Sequence, residues 1–305
     1  MSSSEFEAPL YIVIPVFNGW AQTVQCIEQL QNSSFQELKI ILVDHGSTDD
    51  TKKEIQRFPD VIHLTESESL WWTGATNVGI RHALRLGATH IMLLNNDCYV
   101  VSDTIKVLIK HFYRRIKENH TEVVIAPVQR VHPDGKQLPR NLTSCFLLGY
   151  PTLTIPDVFN FTKEENGLKP TKLIIGGRGV IIPAIVFDRV GLFDEDKLPH
   201  YGADHDFYLR CSAAGIPLYL AIDAEVQIDQ ARTTIADNLG SLGLKQYLST
   251  FTSIRSHRNI KDLSTLFAKH YPVKSLYFIG VALNIARYTA MYTLKRILFL
   301  FKVRH

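Results

Sequence analysis

Short runs of consecutive apolar and β-branched residues alternate with stretches of helical length through the first 127 residues. Leu10 to Val16, Lys39 to Val43, Val61 to Leu64, His90 to Leu94 and Val123 to Pro127 read as strands. Gln22 to Gln31, Asp49 to Arg57, Asn77 to Leu86 and Ser102 to Asn119 read as the helices between them. Repeated βα units predict an α/β fold with a mostly parallel central sheet, and right-handed crossovers place helices on both of its faces. After Pro127 the rhythm breaks. The stretch from His132 to Pro170, rich in Pro, Asn, Thr and Gly, predicts long connections of the kind that carry binding loops. A strand near Leu173 to Ile182, a helix over Asp204 to Ala214, a strand over Pro217 to Ile222 and a mostly helical tail from Leu239 to His305 follow.

At 305 residues the chain suits one large α/β domain, expected over 1–235, with a helical extension over 236–305. A hydrophobic share of 46% and a charged share of 21% exclude a disordered or low-complexity chain. The net charge of +3 conceals an asymmetry: residues 251–305 hold ten Lys and Arg against Asp262 alone, whereas the other 250 residues hold 23 basic and 29 acidic. Basic character therefore belongs to the tail, which argues against a nucleic-acid partner. Cys26, Cys98, Cys145 and Cys211 form no C-x-x-C pair and read as thiols in a reducing compartment. Met1 to Ala8 has two acids and no apolar segment, so a secretory signal is not expected and the chain is placed in the cytoplasm.

In the tail, the apolar run from Leu276 to Ala286 is broken by Arg287, Lys295 and Arg296 before the roughly 20 residues that a membrane span needs. Aromatic and aliphatic residues among lysines and arginines suit a helix lying on an anionic membrane surface, on the inner face of the membrane. Packing on the core, or on a second subunit in an oligomer, accounts for the pattern equally well.

Two strand ends carry chemistry. Ile12 to Asn18 and Val43 to Asp49 each run from a strand into a polar turn, and in an open parallel sheet such carboxyl ends line the ligand crevice. Ser47, Thr48 and Asp49 also suit helix capping, which leaves Pro15 and Asp44 unexplained. His90 to Asp97 is an apolar strand ending in Asn95, Asn96 and Asp97, oxygen-bearing groups suited to a hard divalent cation such as Mg2+ or Mn2+. A polar turn after a buried strand explains the same residues.

Pro15 to Asn18, Asp44 to Asp49, Gly74 with Asn77 to Ile80, Asn95 to Asp97, Gly191 to Glu195, and Asp204 to Phe207 with Arg210 resemble, in order and spacing, the motifs of glycosyltransferase family 2. Within it the chain looks most like bacterial rhamnosyltransferase and galactofuranosyltransferase-like members. The resemblance covers roughly residues 9–230. It implies a GT-A fold and an inverting, metal-dependent transfer of a sugar from a UDP- or dTDP-sugar donor to a glycan or lipid-linked glycan acceptor, in surface polysaccharide or cell-wall synthesis.

Carried over position by position, the resemblance sets Pro15, Phe17, Asp44, Gly74, Asn77 and Asn95 at the nucleotide. Asp44 would accept a hydrogen bond from the N3–H of uracil or thymine, a donor that cytosine lacks. Asp97 matches the last position of the D-x-D metal motif, whose first position is here Asn95. Asp204 matches the catalytic base, preceded by Ala203 where the family has an acid. Trp72, Gly177, Arg178, His200 and Asp206 are expected at the donor sugar or acceptor; a core role for Trp72 and an Asp206–Arg210 ion pair four residues apart on a helix are the structural alternatives. The family's metal-site His has no counterpart in Val226 to Gln230, which leaves Gln227 or Asp229, or no ligand. A sugar-phosphate nucleotidyltransferase would need a Gly-rich basic loop after the first strand, and Asn18-Gly19-Trp20 supplies none. A non-catalytic carbohydrate-binding protein of the same fold is opposed by Asp97 and Asp204.

Overall fold

The computed structural model describes residues 8–119, 122–156, 159, 162–230 and 239–303. The predicted boundary at 235/236 and the termini of the chain lie outside them. The first half follows the apolar rhythm closely: β1 (Leu10–Val16), α1 (Trp20–Gln31), β2 (Leu38–Asp44), α2 (Thr51–Glu54), β3 (Ile62–Thr65), α3 (Trp71–Arg85) and β4 (His90–Leu94). Then come β5 (Cys98–Val100), α4 (Thr104–Asn119), β6 (Val124–His132), β7 (Leu142–Cys145), β8 (Tyr150–Thr154) and β9 (Leu168–Thr171). The remainder comprises β10 (Arg178–Pro183), α5 (Ala184–Val190), α6 (Ala203–Ala213), β11 (Leu218–Asp229), α7 (Leu244–Ser249), α8 (Ile260–His270) and α9 (Tyr277–Val303).

The central sheet runs β3-β2-β1-β4-β10-β6-β11-β5, with β9 also paired to β11. β1 to β4 are parallel, as the βα repeats predict. From β10 onward the sheet is mixed: β10 lies antiparallel to β4 and β6, and β11 is parallel to β6 but antiparallel to β5 and β9. The cause is local, since β10 returns through the loop before it instead of through a crossover helix. β7 and β8 form a separate hairpin.

Alternation along β1 explains why its sequence is apolar throughout. Leu10, Ile12, Ile14 and Val16 face α1 and α4, while Tyr11 and Val13 face α3 and the layer of α5 and α6. α3 packs on that second face through Gly79, where an added Cβ would stand 2.3 Å from Val13 Cγ1. The predicted helix began at Asn77, six residues late, because the first turn of α3 buries Thr73, Gly74 and Thr76, a polar face without apolar periodicity.

The extension is helical, as expected, and packs on the body. Phe146, Leu263, Leu266, Phe267 and Val281 form one cluster, and Leu239, Tyr247, Tyr288 and Tyr292 another. Gly280 lets α9 approach α8 closely; a Cβ there would lie 2.6 Å from the Phe267 ring and 2.7 Å from the Phe146 carbonyl. Two of the basic residues of α9 turn toward the body while Lys295 stays exposed. Arg287 donates to the carbonyls of Leu148 and Gly149, and Arg296 to those of Gly240 and Ser241. Phe278, Leu294, Leu298 and Phe301 form the exposed side. Among the described residues no helix is long and apolar enough to cross a membrane.

Candidate active site

A cleft of about 1400 Å³ opens along the carboxyl ends of the parallel strands and is closed on the other side by the extension. Its sheet wall contains Pro15, Phe17, His45, Trp71, Trp72, Asn96 and Asp97. Its helical wall contains Tyr150, Thr152, His200, Tyr201, His205 and residues of 255–295, Arg258 among them.

The sheet wall is set by short polar turns after β1 and β2. Asn18, in the left-handed conformation (φ 57°), accepts from the Thr48 and Asp49 amides on its Oδ1. Asp49 caps two helices at once: Oδ2 accepts from the Gly19 and Trp20 amides at the start of α1, and Oδ1 from Thr51 at the start of α2. Capping was expected for the following helix only. Above these turns the rings of Phe17 and His45 stack with centroids 5.4 Å apart.

Asp44 is 2% exposed and does not line the cleft; its Oδ1 accepts from the Ser47 amide at 2.8 Å and its Oδ2 lies 3.9 Å from His63 Nε2. Two other residues expected at the nucleotide point elsewhere. Gly74 sits inside α3 against the Leu70 side chain. Asn77 is buried and pins the turn after α5, donating to the Phe193 carbonyl and Glu195 Oε2 and accepting from the Phe193 amide.

At the end of β4, Asn95 accepts from the Trp72 indole at 3.0 Å and is backed by Gly177, whose carbonyl accepts from the Asn95 amide at 2.6 Å. Trp72 is therefore held edge-on to Phe193 with one edge in the cleft. Asp97 is half-buried. Burial pushes its carboxyl above the ordinary range, and the nearby positive charge of Arg178 opposes that push. Arg178 donates to Gln129 Oε1 at 2.8 Å. Among the described residues no group of three His, Cys, Asp or Glu could hold a metal ion. The single carboxylate of Asp97 fits a Mg2+ or Mn2+ whose remaining positions are filled by phosphate oxygens or water. Gln227 is engaged with His132 at 3.1 Å, and Asp229 Oδ2 lies 3.4 Å from the Tyr99 hydroxyl.

The first turn of α6 carries two acids with different fates. Asp204, 15% exposed, accepts from the Gly176 amide on Oδ2 (2.7 Å) and lies 3.1 Å from His205 Nδ1 through Oδ1. Burial alone would raise its pKa; the charge and hydrogen bond of His205 and the Gly176 amide outweigh it and hold the carboxyl far below the ordinary range. His205 Nε2 in turn meets Thr152 Oγ1 at 2.5 Å, on the cleft surface. Burial lowers the His205 pKa and Asp204 more than restores it, leaving it raised.

Asp206, expected at the sugar, is 0% exposed. It binds Arg210 Nε at 2.9 Å and Lys269 Nζ and His270 Nε2 at 2.8 Å each, so it ties α6 to α8 and cannot touch a substrate. The alternative of a structural ion pair with Arg210 holds, with two further partners. His200 does line the cleft, between Trp71 and Tyr201 at centroid distances of 5.5 and 4.4 Å. Burial, with His257, His45 and Arg255 nearby, drops its pKa to about 4, so its ring is neutral at pH 7.

Trp71, His45, Thr152 and the cations of the extension were not singled out as site residues from sequence, and His205 was given no role there. Trp71 carries a structural signature, a non-glycine φ of 51°. For His205 the only sequence signal was adjacency to Asp204.

A sequence description of glycosyl transferase family 2 matches residues 11–184, more than half of the chain. The chain belongs to glycosyl transferase family 2. It is a glycosyltransferase, as are its named relatives: an uncharacterized glycosyltransferase of Rickettsia typhi is 23% identical over 302 residues, covering 93% of this chain and 87% of that protein. Among solved structures, TarS of S. aureus aligns with a TM-score of 0.53 at 14% identity, over 92% of this chain and 89% of that one. The mannosyltransferase PcManGT of Pyrobaculum calidifontis, in complex with GDP-Man and Mn2+, aligns with a TM-score of 0.58 at 14% identity, over 95% and 74%. The GT-A arrangement expected from the family motifs is the fold these proteins share with this chain.

Proposed function

We propose that this family member is an inverting transferase that moves a sugar from a UDP- or dTDP-sugar onto a glycan or lipid-linked glycan of a surface polysaccharide or cell wall. The observation that carries the reading is the placement of Asp97 on one wall of the cleft and the Asp204–His205 pair on the other. The donor lies along the sheet wall, its base beside Phe17 and His45 and its diphosphate toward Asp97. TarS has also been solved with UDP, and the Mn2+ in the PcManGT complex supports a divalent ion here. Bound at Asp97 with the diphosphate, Mg2+ or Mn2+ would neutralise charge on the leaving group.

The acceptor hydroxyl enters from the helical wall, at the place where Thr152 Oγ1 now meets His205. Its oxygen attacks the anomeric carbon from the face opposite the diphosphate, the bond from that carbon to the phosphate oxygen breaks, and the proton leaves toward the Asp204–His205 pair. His205 stands between Asp204 and the cleft, so its Nε2 takes the proton while Asp204 orients and stabilises the ring through Nδ1. Asp204, expected to act alone, works through its neighbour. Trp71, Tyr201 and His200 offer ring faces to the sugars. The exposed apolar side of α9, next to the cleft residues Tyr288 and Met291, supports an acceptor carried on lipid.

The test is thermal stabilisation by UDP, dTDP, GDP and CDP, with and without Mn2+, on the wild type and Asp97→Ala. A ligand at one hundred times its dissociation constant adds about 2.7 kcal/mol. UDP or dTDP stabilising only with Mn2+, and not in Asp97→Ala, is the expected result. A purine preference overturns the UDP- or dTDP-sugar donor, and no shift with any nucleotide overturns the donor site.

A further inference from the structure

The helical wall of the cleft carries an excess of positive charge that the transfer reaction itself does not use. Arg255, Arg258, Arg287 and Lys295 line it, against Asp262 and the Asp204 carboxylate, whose oxygens are taken up by the Gly176 amide and His205. Among the described residues none of the four is paired with an acid. Arg258 reaches only Asn284 Oδ1 at 3.4 Å and the face of Tyr288 at 4.8 Å. Arg287 donates to two carbonyls and lies 3.4 Å over the Tyr150 ring. Arg255 has only the Trp71 face, at 5.8 Å. Asn284 links Arg258 to Arg287, accepting from Arg258 and donating to the same Gly149 carbonyl that accepts from Arg287. Burial pulls the Arg258 guanidinium below its ordinary value, with Tyr288 opposing the shift and the charge of Arg287 adding to it. Among the described residues Asp262 forms no ion pair with any of the four cations, and its buried Oδ2 has no hydrogen-bond partner.

Cations gathered without counter-ions in a cleft carry a desolvation cost that an anionic ligand offsets, and guanidinium forks match the oxygens of phosphate and carboxylate. The donor diphosphate belongs to the opposite wall, with Asp97. We propose that the acceptor is anionic, bearing a phosphate or a carboxylate, and that Arg258 and Arg287, with Lys295, hold that group while the tyrosine rings between them hold the neighbouring sugar. This rests on the cleft being the site of glycosyl transfer.

The experiment is calorimetric titration of the full chain, saturated with UDP and Mn2+, with glycerol 3-phosphate and with glycerol. Binding of glycerol 3-phosphate but not glycerol is expected. It should weaken at least tenfold in Arg258→Gln and several-fold in Lys295→Gln, with UDP affinity unchanged. Lys295 has an exposed side chain, so that variant reports on charge even if Arg258→Gln folds poorly. Failure of the wild type to bind glycerol 3-phosphate would overturn the proposal. So would an equal loss of UDP affinity in Arg258→Gln, since the cations would then serve the donor. Binding of glycerol 3-phosphate without any binding of UDP would keep the anion site and remove the donor reading. Sedimentation with phosphatidylglycerol against phosphatidylcholine vesicles separates the two sources of phosphate. Retention that glycerol 3-phosphate competes away and Arg258→Gln abolishes indicates a lipid-borne group, and binding of the free compound alone indicates a glycan-borne one.

Discussion

The two walls of the cleft are held by different physics. The sheet wall is the end of a parallel array in which β1, β2 and β4 are hydrogen-bonded on both sides and buried on both faces. The helical wall rests on side chains from distant parts of the chain, above all the buried Asp206 with Lys269 and His270. One wall is fixed by continuous backbone pairing and the other by a few polar and aromatic contacts, so the second is where substrate range can change without loss of the fold.

The largest effect should separate chemistry from both walls. His205→Ala should lower kcat by about 10²- to 10⁴-fold in an assay of sugar transfer, the usual contribution of a positioned acid–base group, with nucleotide binding intact. The pH profile sharpens this. His205 must be neutral to accept a proton, and its pKa is raised, so kcat should climb with pH with a midpoint above 6.5. Asp204→Asn should move that midpoint down. A profile flat between pH 5 and 8 would exclude His205 as the acceptor of the proton.

Next in size is an attack on the helical wall alone. Asp206→Ala removes the carboxylate shared by Arg210, Lys269 and His270, of which Lys269 keeps Asp194 Oδ2 at 2.8 Å and Arg210 the Leu192 carbonyl, and should cost about 3 kcal/mol in denaturant unfolding. Amide exchange should quicken in α8 and α9 and stay slow in β1 and β4. The carboxyl is buried, which raises its pKa, but His270, Lys269 and Arg210 pull it down to about 2. Because the folded value is depressed, the stability it contributes is present above the unfolded value of 3.8 and is lost as the pH falls through about 2. Uniform exchange throughout the chain would show that the walls do not respond separately.

The smallest effect is a matched pair. Gly79→Ala thrusts a methyl into Val13 of the paired sheet, and Gly280→Ala thrusts one against Phe267 between helices. Overpacking costs about 1–3 kcal/mol, and the sheet, less able to shift, should place Gly79→Ala at the upper end and Gly280→Ala at the lower. Equal melting temperatures for the two variants would remove the mechanical distinction.

The same division decides what could be read from sequence. Strands buried on both faces appear as unbroken apolar runs, so β1 and β4 have the predicted limits, Leu10–Val16 and His90–Leu94. β5 has three residues and β9 four, too short for a period to show, and β7 with β8 lies in a stretch read only as connections. In the site, Asp97 and His200 lie on the cleft wall. Asp204 and Asp206 lie two apart in one motif, and what separates them, His205 on one side and Lys269 with His270 on the other, depends on which helix face meets α8. The charge of the tail was legible as an amount but not as a direction, because Arg287 and Arg296 turn to carbonyls of loops 55 or more residues away in the chain.

Asp49 holds the beginnings of α1 and α2 with its two oxygens, while Asn18 reaches back to the loop that carries Asp49. The two loops that border the expected base are thereby joined as one plate. A nucleotide gripping Phe17 and His45 would meet a surface already assembled, with little ordering left to be done on arrival, and donor binding would be governed by fit, with the slower adjustments left to the acceptor side.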